Sequence, residues 1–491
     1  TAEALDHVAR AVVNNEGVLE AQTVENRNGT IVLMGDMTSG EVQVGGRIDA
    51  SAPNGGDGGF IETSAAQVTL APNHEITTLA NVGKTGTWLI DPTDFTVAAS
   101  GGDITGTQLS SDLGSNNVTI QSTNGALGTN GNILVNDVVS WSANKLTLNA
   151  QANININQNL NGSGTASLAL EYGQGAVASG NTSGYTLAST AKIALPSGTN
   201  FSTKLGSDGT TKNFYVINSL GAEGSSTTTD LQGIRAGLTG NYALGADIDA
   251  TATSTWQSGQ GFTFLGTQGN VFAGSFEGLG HTIDGLFENW SVGYVGLFGK
   301  IDTTARISNL NLTNLNIKGG LDNVGGLVGY ASKGSVIEHV TVQGKITGGN
   351  NAVGGLIGTN DGKVTDAHAN TVTVSGKNYG TGGLIGKQTA NGTTSSSDSS
   401  GTVQGFYDVG GLIGSSVTAL DGLHSSATVT PTGGESGGLG RSGWRRGAAL
   451  AGRHRIRRIQ GLRRAWREIC TLGCGTGLIA GGRLRPTATR T

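Results

Sequence analysis

Three histidines recur at a fixed place in the second half of the chain, and their spacing suits metal chemistry. His339, His368 and His424 each lie 14 residues after the first glycine of a Gly-Gly-Leu unit. On adjacent strands about 4.8 Å apart, two imidazoles are close enough to share a transition metal. Aligning the later landmarks GSV and GKV instead places His339 over Ala367. We therefore predict that these histidines are polar face residues and that the chain has no metal site.

Other motifs of catalytic chemistry are broken or absent. His74 and Glu75 begin a zinc-binding HExxH pattern, but the second histidine is missing. The GGDGG run at 55–59 lacks the tandem calcium-binding pattern and predicts a tight turn. Neither a phosphate-cradling GxxxxGK[ST] motif nor a nucleophile elbow in a strand-turn-helix setting occurs. The sequence thus predicts no catalytic residue, no cofactor and no enzymatic activity.

Carboxylates keep one enzymatic alternative open. Some β-helix proteins cleave polysaccharides with acidic residues, often with basic ones, gathered in a groove. Residues 1–436 carry 34 acidic and 17 basic groups, and ordinary solvated faces account for most of the acids. Few arginines are available to complete such a groove: Arg10, Arg27, Arg47, Arg235 and Arg306. A carbohydrate-active enzyme is therefore the alternative rather than the leading hypothesis.

The elements that would position these residues are short strands. Runs that alternate apolar and polar residues recur between Gly, Asn, Asp and Ser, without an intervening helical pattern of useful length. Such period-two alternation is typical of strands. The clearest runs are TIVLMGD (30–36), EVQVGG (41–46), NVTIQS (117–122), KLTLNA (145–150), NININ (153–157) and SLALE (167–171).

Composition indicates how the strands are arranged. The 491 residues include 84 glycines but only 6 prolines, and 5% are aromatic. That is too little large apolar side chain for three ordinary globular cores, and collagen is excluded because glycine does not occupy every third position. Monotonous short strands rich in Asn and Thr favour coils that stack on one another. We predict an all-β fold, a parallel β-helix or β-solenoid.

An explicit repeat appears in the second half. Gly-Leu cores begin at residues 295, 325, 354, 382, 410 and 437, at intervals of 30, 29, 28, 28 and 27 residues. We expect the Leu and the next Val, Ile or Phe to point inward, and the glycines to let neighbouring coils approach closely. The predicted structural glycines are Gly296, Gly299, Gly325, Gly326, Gly329, Gly354, Gly355, Gly358, Gly382, Gly383, Gly386, Gly410, Gly411 and Gly414.

These units resemble the GLUG repeat of bacterial surface proteins. YALGADIDA (242–250), GFTFLG (261–266) and FAGSFEGLGHTIDGL (272–286) are similar to the segment that precedes such repeats. Upstream, NNEGVLEAQTVENRNGTIVLMGD (14–36) and GTWLIDPTDFTV (86–97) resemble filamentous-haemagglutinin-type adhesins of two-partner secretion. The resemblance implies a right-handed β-helix. GLUG repeats also occur on some surface metallopeptidases, whose catalytic part would lie elsewhere.

The resemblance also implies a function. It predicts an adhesin fragment, secreted or held at the bacterial cell surface, that attaches to glycans or proteins of host cells, matrix or other bacteria. An outer-membrane secretion pore is the implied partner during export. A purely structural stalk is the second alternative. The sequence contains no run of 18 apolar residues, so no membrane-spanning helix is expected. The body of the chain also gives no reason to expect nucleic-acid binding.

The sequence divides into four regions. We predict a haemagglutinin-like β-helix at 1–205, an irregular junction at 206–260, and a lead-in with GLUG-type repeats at 261–440. Residues 441–491 form an anomalous tail, because residues 437–491 contain 13 arginines, no lysine and the single acid Glu468. A change of reading frame or disorder explains such a tail better than a nucleic-acid-binding patch. The tail also holds both cysteines, Cys470 and Cys474.

Overall fold

The computed structural model describes most of the chain. The described residues are 12–22, 28–123, 130–177, 180–420, 422–433, 436–439 and 441–442. The predictions made for residues 443–491, including the two cysteines, lie outside them. No helix in this described part is both long and apolar enough to cross a membrane.

The chain folds as a β-solenoid of about fourteen coils, which confirms the predicted all-β parallel β-helix. Each coil adds strands to ladders shared with its neighbours. In the first half, for example, Val118 pairs with Leu146, Leu146 with Leu168, and Leu168 with Phe201, all in parallel strands. The six runs predicted as strands are all observed as strands.

Two stacks of coils make up the solenoid. The first stack spans residues 12–205 and contains the single described α-helix, Gly106–Asp112, whose amino end is capped by the Thr105 hydroxyl. Its strands are Val12–Asn15, Val18–Glu20, Thr30–Met34, Glu41–Val44, Arg47–Asp49, Phe60–Ser64, Gln67–Leu70, Glu75–Thr77, Thr87–Asp91, Phe95–Val97, Asn117–Gln121, Ile133–Val135, Val139–Trp141, Lys145–Ala150, Ile154–Ile156, Leu160–Gly162, Ser167–Tyr172, Tyr185–Leu187, Ile193–Ala194 and Gly198–Leu205.

The second stack spans residues 212–442 and includes the 3-10 helix Gln232–Ala236 and the 3-10 segment Thr251–Gly259, whose backbone is non-helical at residues 256–258. Its strands are Lys212–Ile217, Asn241–Leu244, Ile248–Asp249, Ser275–Glu277, Thr282–Asp284, Phe287–Trp290, Phe298–Ile301, Arg306–Gly319, Val328–Ala331, Val336–Gly348, Val353–Gly354, Ile357–Asn360, Lys363–Gly376, Tyr379–Gly382, Ile385–Gln388, Thr393–Ser395, Asp398–Gly405, Tyr407–Gly410, Ile413–Ser416, His424–Ser425, Thr428–Pro431, Ser436–Gly437 and Arg441–Ser442.

A hairpin joins the stacks and reverses the strand direction. Gly198–Leu205 and Lys212–Ile217 pair antiparallel, with the Phe201 and Phe214 rings 5.1 Å apart between centroids. Parallel pairing resumes when Lys212–Ile217 pairs with Asn241–Leu244. The segment 206–260, predicted to be irregular, therefore contains three strands and both 3-10 helices, and it redirects the solenoid.

Two apolar cores run through the solenoid, built from alternate residues of the strands. The first core also takes in Phe214, Val216, Ala243 and Leu279 from the start of the second stack. The inward position predicted for the repeat residues is confirmed, because the apolar pair of each unit from 297 to 413 has no exposed surface. These pairs are Leu297 and Phe298, Leu327 and Val328, Leu356 and Ile357, Leu384 and Ile385, and Leu412 and Ile413.

Single left-handed residues mark the corners of the second-stack coils. Asn309, His339 and Asp366 occupy equivalent corners, with φ between 52° and 54°. A second corner follows five residues later, at Asn314 and Thr371 in their coils. Asn and Asp tolerate this conformation better than most non-glycine residues do. The corners divide each long strand into separate faces of the coil.

Candidate binding site

The glycines of the repeat lie where coils touch through their backbones. A Cβ on Gly355 would stand 2.0 Å from the Gly383 carbonyl oxygen, and one on Gly383 would stand 2.1 Å from that of Gly411. The first and third glycines of the units are equally confined, since a Cβ on Gly354 or Gly386 would approach backbone within 2.1 and 2.4 Å. The glycines therefore occupy coil-to-coil contacts and offer no side chain to a ligand.

The same close approach holds at most of the other predicted glycines. A Cβ there would come within about 2.6 Å of a backbone atom at Gly296, Gly299, Gly325, Gly326, Gly329, Gly358, Gly382, Gly411 and Gly414. Gly410 ends the strand Tyr407–Gly410 and pairs with Gly437 on the next coil.

The repeated histidines form a ladder with aspartates along one corner of the second stack. His339 Nδ1 lies 2.7 Å from Asp366 Oδ2, and His368 Nε2 lies 3.1 Å from Asp366 Oδ1. His368 Nδ1 lies 2.9 Å from Asp398 Oδ2. On the following coil, His424 stands level with Asp398 in the parallel strand register. His368 thus lies between two carboxylates, one on its own coil and one on the next.

The predicted register of the histidines is wrong by one residue. Val340, not His339, pairs with Ala367. The turn before this strand is two residues shorter in the later coil, because Ala331 pairs with Asn360 whereas Val336 pairs with Lys363. This shift places His339 level with Asp366 and brings the imidazole and carboxylate groups into contact.

Charge and burial oppose each other at Asp366. Burial raises the pKa of its carboxyl group, but hydrogen bonds and charges from His339 and His368 outweigh burial and hold the pKa below 3.8. Within the described residues, no group of three or more His, Cys, Asp or Glu side chains is arranged to hold a metal ion. The imidazole–carboxylate contacts of the ladder link successive coils.

A polar groove lies beside this ladder, where the end of the first stack meets the second. Its walls are residues 187–189 on one side and Asn309, Asn311, Thr341 and His368 on the other. The amide and imidazole groups there could hydrogen-bond a polar ligand.

A larger groove of about 430 Å³ lies at the start of the repeats. We call it the aromatic groove, and its lining combines ring and aliphatic side chains with an adjacent carboxylate and amide. The lining residues are Phe264, Thr267, Gln268, Val292, Gly293, Tyr294, Leu321, Asp322 and Asn323. Ligand sites in proteins commonly combine an apolar wall with a few placed polar groups. Sequence reasoning missed this groove because its residues come from three separate segments.

Two buried carboxylates also escaped the sequence analysis. Glu277 accepts hydrogen bonds from the Tyr185 and Ser308 hydroxyls, the Asn309 amide and the Leu279 backbone N–H. Burial raises its pKa, although these bonds lower it. Tyr185 belongs to the first stack, so Glu277 fastens the two stacks together. The second carboxylate, Glu288, is fully buried, and among the described residues neither of its oxygens accepts a well-formed hydrogen bond.

Part of the chain is similar to a known family. Residues 207–344 match the family model described as the M26 IgA1-specific metallo-endopeptidase N-terminal region. The match covers less than half of the chain and includes the aromatic groove. The crystal structure of a "putative immunoglobulin A1 protease" from Bacteroides ovatus aligns with 44% of this chain and 64% of its own, at 20% identity and a TM-score of 0.34.

Two curated proteins are also similar over part of their length. Halomucin of Haloquadratum walsbyi is 40% identical over 163 residues, which are 31% of this chain and 2% of halomucin. A "Putative Gly-rich membrane protein" of Evansella cellulosilytica is 35% identical over 143 residues, or 28% of this chain and 15% of that protein. The chain thus corresponds to a small part of either relative.

Proposed function

We propose that this chain is a non-catalytic adhesion module of an exported cell-surface protein. The observation that carries the proposal is an exposed row of polar side chains that repeats on successive coils of the second stack. The row consists of Asn316, Lys345, Thr373, Thr402 and Thr428, each paired with the next. Equivalent groups at a constant spacing let many weak contacts act together on a repetitive partner.

Glycans or proteins of host cells, matrix or other bacteria are the proposed partners, reached after export through an outer-membrane secretion pore. The resemblance to filamentous-haemagglutinin-type adhesins and GLUG repeats supports this assignment. The name of one relative, which places that relative at a membrane, agrees with a location at the cell surface.

A structural stalk is the second candidate, and the glycine contacts favour it. Gly355 and Gly383 hold coils together through backbone alone, so the repeats could lengthen a protein without binding anything. Adhesion and stalk differ in what one repeat contributes. An adhesion module loses contacts with every coil removed, whereas a stalk loses only length.

Removal of one repeat separates these functions. Deleting residues 355–382 joins Gly354 to Gly383 and restores a Gly-Gly-Leu-Ile-Gly unit. We expect the shortened protein to fold and to bind cultured cells or immobilised matrix glycoproteins several-fold more weakly per molecule. Thermal unfolding controls for folding. Unchanged binding would establish the stalk, and cleavage of a polysaccharide by the purified chain would establish the enzyme.

A further inference from the structure

We propose that the aromatic groove binds a neutral carbohydrate, with the apolar face of one pyranose ring against Tyr294 and Leu321. The inference rests on the proposed adhesive function and names a ligand class for one site. It differs from the exposed polar row, because the groove occurs once at the start of the repeats and has a defined shape.

The apolar wall of the groove is exposed in the free protein. Leu321 is 54% exposed and Val292 is 43% exposed, and the half-buried rings of Phe264 and Tyr294 lie beside them. Covering such a surface releases water from apolar area, which is favourable. A ligand with one apolar face gains this energy. The C–H groups on one face of a pyranose provide that face.

The rings of the wall are held in place by their neighbours. Tyr294 packs against Tyr330 with centroids 6.1 Å apart, and the Lys300 ammonium lies 5.3 Å from the centre of the Tyr330 ring. Phe264 meets Trp290 edge to face at 5.8 Å. A wall that is already ordered loses little conformational entropy when a ligand binds.

The polar end of the groove matches a hydroxyl group. Asp322 uses Oδ1 to accept from the backbone N–H and the side-chain amide of Asn351, at 2.9 and 3.1 Å. Asn323 uses its Oδ1 to accept from the Thr359 hydroxyl at 2.6 Å. Among the described residues, Asp322 Oδ2 and the Asn323 amide nitrogen have no partner. A free acceptor and a free donor on adjacent residues that both line the groove suit a sugar hydroxyl, which both donates and accepts.

Charge selects among carbohydrates. Asp322 is the only charged side chain among the nine residues that line the groove, all of them described. Its negative charge disfavours a sialylated or uronic-acid ligand in the same groove. The lining therefore fits a neutral sugar.

The following coil shows which substitutions the fold accepts at these positions. Asn323 stands where Tyr294 stands one coil earlier, and the two share a left-handed corner, with φ of 63° and 61°. Asn351 likewise stands one coil after Asp322. Tyr294→Asn and Asp322→Asn therefore each introduce a residue that this fold already carries at that position.

An array of neutral and sialylated glycans, probed with the full chain, tests the proposal. We expect neutral glycans to bind, and the affinity for the best of them, measured by titration, to fall at least tenfold in Tyr294→Asn and in Asp322→Asn. Val417→Asn is the matched control, since it replaces an apolar side chain that is 48% exposed outside the groove. Thermal unfolding checks that all three variants fold.

The possible failures are distinguishable. If neutral glycans bind equally well to all variants, or if only the sialylated glycans of the array bind, the assignment of the groove is overturned. If the chain adheres to cells yet binds no neutral glycan, the groove assignment fails while the adhesive function stands. If the full chain neither adheres to cells nor binds any glycan, both the groove assignment and the adhesive function are overturned.

Discussion

At the scale of single residues, Glu288 is a fully buried carboxyl group in the apolar interior of the second stack. It pairs with Ile317, which continues into an apolar row of Ile346 and Val374, so a carboxyl group occupies a position where later coils place aliphatic side chains. Burial raises its pKa to about 8, and the backbone amide of Gly296 offsets only part of this effect. Glu288 is therefore protonated in the folded protein at neutral pH.

The raised pKa of Glu288 predicts stability that falls as pH rises. The pKa of Glu288 in the folded protein exceeds its ordinary value of 4.5. The stability that the protonated carboxyl group contributes is therefore fully present below pH 4.5 and is lost as the pH rises through about 8. At pH 9 we expect Glu288→Gln to have a free energy of unfolding a few kcal/mol higher than wild type, because glutamine does not ionise and each pKa unit corresponds to about 1.4 kcal/mol. Denaturant unfolding at pH 5 and pH 9 measures this. If the free energy of unfolding changes equally in wild type and Glu288→Gln between pH 5 and pH 9, ionisation of Glu288 does not limit stability.

At the scale of elements, the stacking of coils depends on the absence of side chains at particular glycines. The Gly-Gly-Leu-Ile-Gly units bring backbone directly against backbone, and the apolar pair of each unit fills the core beneath. Space for a methyl group differs sharply among glycines of the second stack. Gly355 has a carbonyl oxygen 2.0 Å from the Cβ position, whereas Gly269 has no atom within 4 Å of it.

This difference predicts opposite outcomes for the same substitution. Gly355→Ala forces two coils apart and should lower the free energy of unfolding by about 2 kcal/mol or more. Gly269→Ala meets open space at an exposed position and should change stability by less than about 0.5 kcal/mol. Thermal and denaturant unfolding of both variants measures the effect. Equal stability of the two variants would show that the coils do not pack this closely.

At the scale of the whole solenoid, the two stacks are joined by the hairpin, by apolar side chains of the second stack that pack into the first core, and by polar contacts. Backbone N–H groups of Ile193 and Leu195 donate to the carbonyls of Leu279 and Gly245. The Tyr185 hydroxyl donates to Glu277 at 2.7 Å. Because Glu277 is buried, each bond to its carboxylate matters more than a bond at the surface.

Removal of one such bond should weaken the junction. Tyr185→Phe deletes only the hydroxyl and leaves Glu277 with one fewer donor, so we expect a loss of about 1 to 3 kcal/mol in the free energy of unfolding. Tyr379→Phe is the control, because Tyr379 is 53% exposed and its hydroxyl can exchange a bond with water. If both substitutions have the same small effect, Glu277 does not fasten the stacks.

The local architecture follows from the order of residues alone. Period-two runs such as 145–150 became strands, and the leucine of each repeat unit became buried, because alternation and burial depend on neighbouring residues and the repeat length. The turn predicted for the GGDGG run lies just before it, at Pro53 and Asn54, and the run itself only bends at Gly55 and Gly56, where φ is 112° and 86°. Strands, turns and the inward face were thus readable from the order of residues.

The register between coils and the direction of the second stack depend instead on contacts between distant segments. The His–Asp ladder exists because one turn is two residues shorter than its counterpart, and a change of that size shifts every partner along the strand. The reversal at Lys212–Ile217 and the aromatic groove likewise depend on segments far apart in the chain. Contacts between such segments follow from turn lengths accumulated over whole coils, which local patterns do not record.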